Sequence, residues 1–262
     1  MFFMKRIILL ALFIGMLLLT GCFGNMQPRF DNEQQHVFDS ICEVYCNWGC
    51  NAYDDYELGE VYREFDGRLY DFMRDVNVLC DWRAWISGID ISEVKGGVNI
   101  GFELRFVSPR YGREYCFVVS YEVDNEKLKK DYIYNQVMDL QDGENVYFSG
   151  IIRREQVGRL FSEDGHSLCE PVYMLWIIDI GRQPFGISWD LDETLWLARE
   201  VCDDMEARCN GVSGDDYEFT REERMHAKTF VSMAENLDKR NQGFVIRYNA
   251  AMQFDLMYMH DE

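Results

Sequence analysis

Val98-Asn-Ile-Gly-Phe-Glu-Leu-Arg-Phe106 is the stretch that decides the fold. Val98, Ile100, Phe102, Leu104 and Phe106 alternate with Asn99, Gly101, Glu103 and Arg105. A two-residue period places all the apolar side chains on one face of a strand, with the other face left polar. Outward from it the pattern repeats. Tyr115, Phe117, Val119, Tyr121 and Val123 alternate, and so do Val146, Phe148, Gly150 and Ile152. Trp82 to Ile91 and Val172 to Ile180 read as strands of the same quality. Gly96-Gly97 between the first two runs is a hairpin signal. A short helical segment, Asp131 to Leu140, closes at Asp142-Gly143 between the third and fourth runs.

Five strands with one helix between the third and fourth resemble the OB-fold, a small Greek-key barrel. Trp82-Arg-Ala-Trp-Ile-Ser-Gly88 is similar to a first strand of that family, and Val137 to Gly150 to the entry of a fourth. The resemblance implies a barrel over residues 80–182 that offers the face of its second and third strands to ligands. Another five- or six-stranded α+β sheet is the competing arrangement.

On either side of this region the period becomes helical. Residues 32–79 read as a helical hairpin. Val37, Ile41, Val44 and Trp48 form one stripe, with Gly49 as its stop, and Val61, Phe65, Leu69, Phe72 and Val76 form the second, around an acidic turn at Asp54, Asp55 and Glu57. Residues 183–262 read as a helical C-terminal region. Leu191, Leu195, Ala198, Val201, Met205 and Cys209 share a face that stops at Asn210-Gly211. Thr220 and Glu223 form a capping box for a helix to about Leu237. Phe244 to Met259 is ambiguous, because Phe244, Ile246 and Tyr248 alternate like a strand while Ala250 to Met257 suit a helix. The expected class is therefore α+β, a five-stranded OB-like barrel flanked by N-terminal and C-terminal helices.

The first 21 residues read as an export signal. Lys5 and Arg6 precede an apolar run from Ile7 to Leu19, too short to span a bilayer as a mature helix. Met4 is an alternative start. Leu19-Thr-Gly-Cys22 resembles the lipobox of bacterial lipoprotein precursors. That resemblance implies cleavage before Cys22, fatty acyl groups such as palmitate on its sulfur, and attachment to the membrane through a linker over 22–31. Each buried CH₂ of an acyl chain contributes about 0.8 kcal/mol. Phe23 stands where Asp resembles an inner-membrane retention signal, so the expected address is the periplasmic face of the outer membrane.

The 262 residues carry a net charge of −20, and losing Lys5 and Arg6 with the signal takes the exported part to −22. Phosphate backbones are repelled by such a surface, which argues against nucleic acid as a partner. A hydrophobic content of 48% supports a real core and rules out an acidic disordered chain.

With Cys22 assigned to lipid, eight cysteines remain: Cys42, Cys46, Cys50, Cys80, Cys116, Cys169, Cys202 and Cys209. An oxidising compartment favours bridges. Cys42, Cys46 and Cys50 share a helical face, as do Cys202 and Cys209, so these five are the candidates for one or two bridges joining the first and third blocks. A metal site on the first stripe is the sharper alternative, but its spacing is not C-x₂-C and His36 has no marked place as a fourth ligand. His36, His166, His226 and His260 are scattered, and Gly165-His-Ser167 lacks the setting of a hydrolase nucleophile. Asp190, Asp192 and Glu193 lack the glycine and spacing of a calcium loop. No catalytic, metal or cofactor residue is assigned. The expectation is a lipid-anchored envelope protein that binds a protein or small ligand without catalysis. The alternatives are an envelope hydrolase with a carboxylate-based site and a thiol- or metal-active envelope protein.

Overall fold

A computed structural model describes residues 33–108, 110–153, 168, 172–211 and 220–258, of which 206–211 and 254–258 are described by their backbone alone. Among them are six α-helices and five strands: α1 (Glu33–Cys50), α2 (Asp55–Val76), β1 (Leu79–Val94), β2 (Gly97–Val107), β3 (Glu114–Asp124), α3 (Tyr132–Met138), β4 (Asn145–Ile152), β5 (Val172–Gly181), α4 (Trp189–Gly211), α5 (Arg221–Asn236) and α6 (Lys239–Tyr258). The signal and linker residues 1–31, including Cys22, lie outside the described residues.

The strands close into a barrel in the order β1-β2-β3-β5-β4, with β4 returning to β1. Only the β3–β5 pairing is parallel. This closed mixed barrel, with helices before and after it, is α+β and compatible with an OB-like fold. The alternation read in the sequence sorts the side chains as expected. Val98, Ile100, Phe102, Leu104 and Phe106 all point into the core, with Tyr115, Phe117, Val119, Val146 and Phe148. Gly96, at φ +91°, turns the β1–β2 hairpin, and a Cβ on Gly97 would sit 2.3 Å from the Val123 carbonyl oxygen. That approach admits only glycine. β1 runs longer than the sequence suggests because bulges at Leu79/Trp82 and Ser87/Asp90 bend it around the barrel.

The ends of β4 and β5 are buried on both faces. Ser149, Ile151, Ile152, Ile177, Ile178, Asp179 and Ile180 all lie inside. The reason is α6, which packs its Phe244, Val245, Tyr248, Ala251 and Met252 inward while Ile246 is 68% exposed. The spacing of those five positions is helical, which resolves the ambiguous tail in favour of helix over 239–258.

The N-terminal helix turns a different face inward from the one the sequence suggests. Val37 and Val44 are 44% and 59% exposed, while Phe38, Cys42 and Tyr45 are buried. Phe38 is wedged among Trp82, Tyr115, Phe117 and Tyr173, with ring centroids 5.2–6.0 Å away. The true stripe includes two polar residues, Gln35 and Asp39, which hydropathy counts against it. Gln35 pairs its amide with both backbone groups of Arg83 at 3.2 Å. Gln34 Oε1 accepts from Cys80 N and Trp82 Nε1, each at 3.0 Å. These amides lace α1 onto β1. α2 buries Val61, Phe65, Leu69 and Phe72 as expected, with Asp54 capping its first turn. In α4, Leu191, Leu195 and Ala198 are buried, but Met205 is exposed. The capping box of α5 forms between Thr220 and Glu223.

Candidate binding groove beside the barrel

β3 and β5 pair only over Cys116–Val118 and Val172–Met174. Beyond that, Ser120, Tyr121 and Glu122 stand on one side and Trp176 and Ile177 on the other, with a groove of about 230 Å³ between them. α6 crosses it with Arg247, Ala250 and Ala251, and Arg153 enters from the end of β4. Trp176, Ile177, Ala250 and Ala251 give it apolar surface, and Ser120, Tyr121, Glu122, Arg153 and Arg247 give it polar groups, a mixed lining of the kind that orients a small molecule.

Two guanidinium groups dominate its electrostatics. Arg153 lies 4.0 Å from the centroid of the Trp176 ring. Its backbone N–H donates to the Met174 carbonyl at 3.0 Å, so the arginine is held to β5 at its root. Arg247 lies 4.2 Å from the centroid of the Tyr132 ring, and its Nε donates to the Ile178 carbonyl at 2.5 Å. Its Nη2 is 3.8 Å from Asp179 Oδ1, beyond hydrogen-bonding distance. Burial lowers the pKa of Arg247, with Asp179 acting against the shift. Burial raises the pKa of the Asp179 carboxyl, opposed by Tyr132 and Arg247. Burial pushes Tyr132 up to about 12, so it stays a neutral hydroxyl and a fixed donor. Tyr121 donates to Asp131 Oδ2 at 2.9 Å, and Ser120 to Asn99 Oδ1 at 2.9 Å.

The outer face of β2 and β3, where the resemblance places ligands, is largely occupied by its own polar pairs. Arg105 reaches Glu103 at 2.7 Å and Glu114 at 2.5 Å. A second hollow, of about 360 Å³, lies between α1 and α2 and is lined in part by Val37, Ile41, Phe72 and Val76.

The cysteine candidates have different surroundings. Cys42 is buried against the Tyr173 hydroxyl at 3.6 Å, and burial pushes its thiol up to about 12. Cys46 is disulfide-bonded, its Sγ accepts from Arg113 Nη1 at 2.5 Å, and Cys50, 3.9 Å away, is exposed. Cys202 is half-buried on α4, and the side chain of Cys209 lies outside the described residues. Cys42, Cys50 and Cys202 are thiols, as are Cys80 and Cys116, so none of these three candidates makes the expected bridge between the first and third blocks. α1 packs mainly on α2 and β1, and α4 mainly on α5 and α6, so the two cysteine-bearing helices meet different neighbours. Among the described residues no group of three or more His, Cys, Asp or Glu is placed to hold a metal ion. None of their helices is long and apolar enough to cross a membrane.

Sequence reasoning missed the groove. Arg153 reads as a strand-end cation, and Arg247 sits in the ambiguous tail. The available signal was Arg247 falling between Phe244 and Ala251 on a helical stripe, a charge on an otherwise apolar face. Comparison with known protein families, curated proteins and solved structures finds no match. What the fold defines is an α+β barrel protein with a groove of about 230 Å³ in one wall.

Proposed function

We propose that this chain is a lipid-tethered protein of the bacterial envelope that acts by binding, through its barrel and the helices packed against it. The charged start, the apolar run and Leu19-Thr-Gly-Cys22 support the tether. The observation that supports the binding role is the groove between β3, β5 and α6, where Trp176, Ile177 and Ala251 stand beside Arg153, Arg247 and Tyr121. An exported part with net charge −22 is repelled by anionic lipid headgroups, which suits a body held off the surface and presenting a groove outward.

Labelling cells with an alkyne analogue of palmitate, with a photo-crosslinking residue in place of Glu122 at the rim, tests both halves. The expected result is a lipid label lost in Cys22→Ala, together with a defined adduct at position 122. A chain that takes no label, and a crosslinker that forms no specific adduct, would overturn the reading.

A further inference from the structure

We propose that the groove between β3, β5 and α6 selects a small monocarboxylate with a flat apolar body, held by the Arg247 fork. The inference rests on the binding role proposed above and names its ligand class. Arg247 is fixed at its inner end, by Nε on the Ile178 carbonyl and by the Tyr132 ring. Among the described residues no hydrogen bond uses Nη1 or Nη2, and the nearest carboxylate oxygen, on Asp179, stays at 3.8 Å. A planar guanidinium held at one end, with no hydrogen bond on its terminal nitrogens and only a long ion pair from Nη2 to Asp179, keeps an edge that can grip a carboxylate by two parallel bonds.

Charge decides between one negative charge and two. Arg153 and Arg247 are opposed by Glu122 at the rim and by Asp179, whose side chain is 4% exposed. The two guanidinium groups and the two carboxylates leave the groove near neutral, so a monocarboxylate adds one negative charge in excess and a phosphate dianion adds two, and the smaller excess favours the monocarboxylate. Size and lining set the rest. About 230 Å³ falls below the range of drug-sized sites, so the ligand is compact. Trp176, Ile177 and Ala251 give it an apolar wall suited to a ring or a short branched chain.

The test uses the detergent-solubilised full chain and 4-fluorobenzoate followed by ¹⁹F NMR, with benzoate, benzamide and inorganic phosphate as competitors. Benzoate should displace the probe at least tenfold more effectively than benzamide or phosphate. Arg247→Gln should weaken binding tenfold or more, Arg247→Lys should keep part of it, and Ala250→Leu should block the groove from its exposed rim. The Ala250→Leu variant keeps the test open if Arg247→Gln fails to fold, because it leaves the arginine and the core in place. Benzamide matching benzoate, or Arg247→Gln binding within twofold of the unaltered chain, would overturn the carboxylate inference and leave the groove a binding site. Failure of every probe would remove the groove as a small-molecule site and this inference with it. The crosslinking experiment would still decide whether the chain works by binding.

Discussion

Tyr115 donates its hydroxyl proton to Asp39 Oδ1 at 2.6 Å, inside the joint between α1 and β3. Ser108 donates to the other oxygen, Oδ2, at 2.7 Å, and Asp39 is 2% exposed. A carboxylate at that depth is tolerated because both oxygens are hydrogen-bonded. Burial raises the Tyr115 hydroxyl far above its usual range, and Asp39 adds to the shift. The tyrosine therefore remains a hydroxyl donor around neutral pH.

Removing the acceptor should cost more than removing one donor. Asp39→Ala leaves two buried hydroxyls without an acceptor and should destabilise the chain by about 3 kcal/mol. Tyr115→Phe keeps the ring and the Ser108 bond and should cost about 1–2 kcal/mol. The double variant should cost clearly less than the two added together, because the residues share one interaction. Urea unfolding followed by far-UV circular dichroism measures all three.

Asp66 on α2 makes stability depend on pH. Burial pushes its carboxyl up to about 7, and its Oδ1 has no hydrogen-bond donor among the described residues. In the unfolded chain the same group ionises near pH 4. The folded state therefore holds the proton over a window in which the unfolded state releases it. The contribution of Asp66 is fully present below about pH 4, declines as pH rises, and is lost above about pH 7. Asp66→Asn should match the parent near pH 4 and exceed it in stability at pH 8. A gap that is the same at both pH values would show that the carboxyl does not titrate in this window.

The thiols should react in an order set by burial. Cys50 is exposed on the last turn of α1, whereas Cys42 and Cys116 are buried with thiols pushed up to about 12 and about 11. The thiolate is the reactive form, so burial and a raised pKa both slow attack. Maleimide added to the native chain should modify Cys50 first, and Cys42 and Cys116 only after denaturation. Peptide mass mapping reads the order, and native labelling of Cys42 at the rate of Cys50 would contradict the packing of α1.

The barrel was legible because alternation is a local property. Val98 to Phe106 needs no partner to show which face is apolar, and a closed sheet buries that face. The inner face of α1 was not legible in the same way. Gln35 and Asp39 are buried only because Arg83, Tyr115 and Ser108, some 50 to 75 residues away, supply their hydrogen bonds. Hydropathy counts them as solvent-facing, and the stripe Val37, Ile41, Val44, Trp48 then looks the better core. The groove was hidden for a related reason. Arg153, Trp176 and Arg247 are far apart in the chain and converge only where β3 and β5 stop pairing and α6 crosses the gap.

The two faces of α1 make opposite forecasts for two substitutions six residues apart. Phe38 is fully buried in the aromatic cluster around Trp82, so removing its ring leaves a cavity in the core. Phe38→Ala should therefore cost about 3–5 kcal/mol. Val44 is mostly in solvent, and Val44→Ser should stay within about 0.5 kcal/mol of the parent. Were the Val37-Ile41-Val44-Trp48 stripe the core face, the order would reverse, with Val44→Ser burying an unsatisfied hydroxyl and Phe38→Ala trimming an exposed ring. Thermal unfolding of the two single variants separates the alternatives. A Val44→Ser loss larger than that of Phe38→Ala would require α1 to be rotated about its axis, taking the Asp39–Tyr115 and Gln35–Arg83 hydrogen bonds with it.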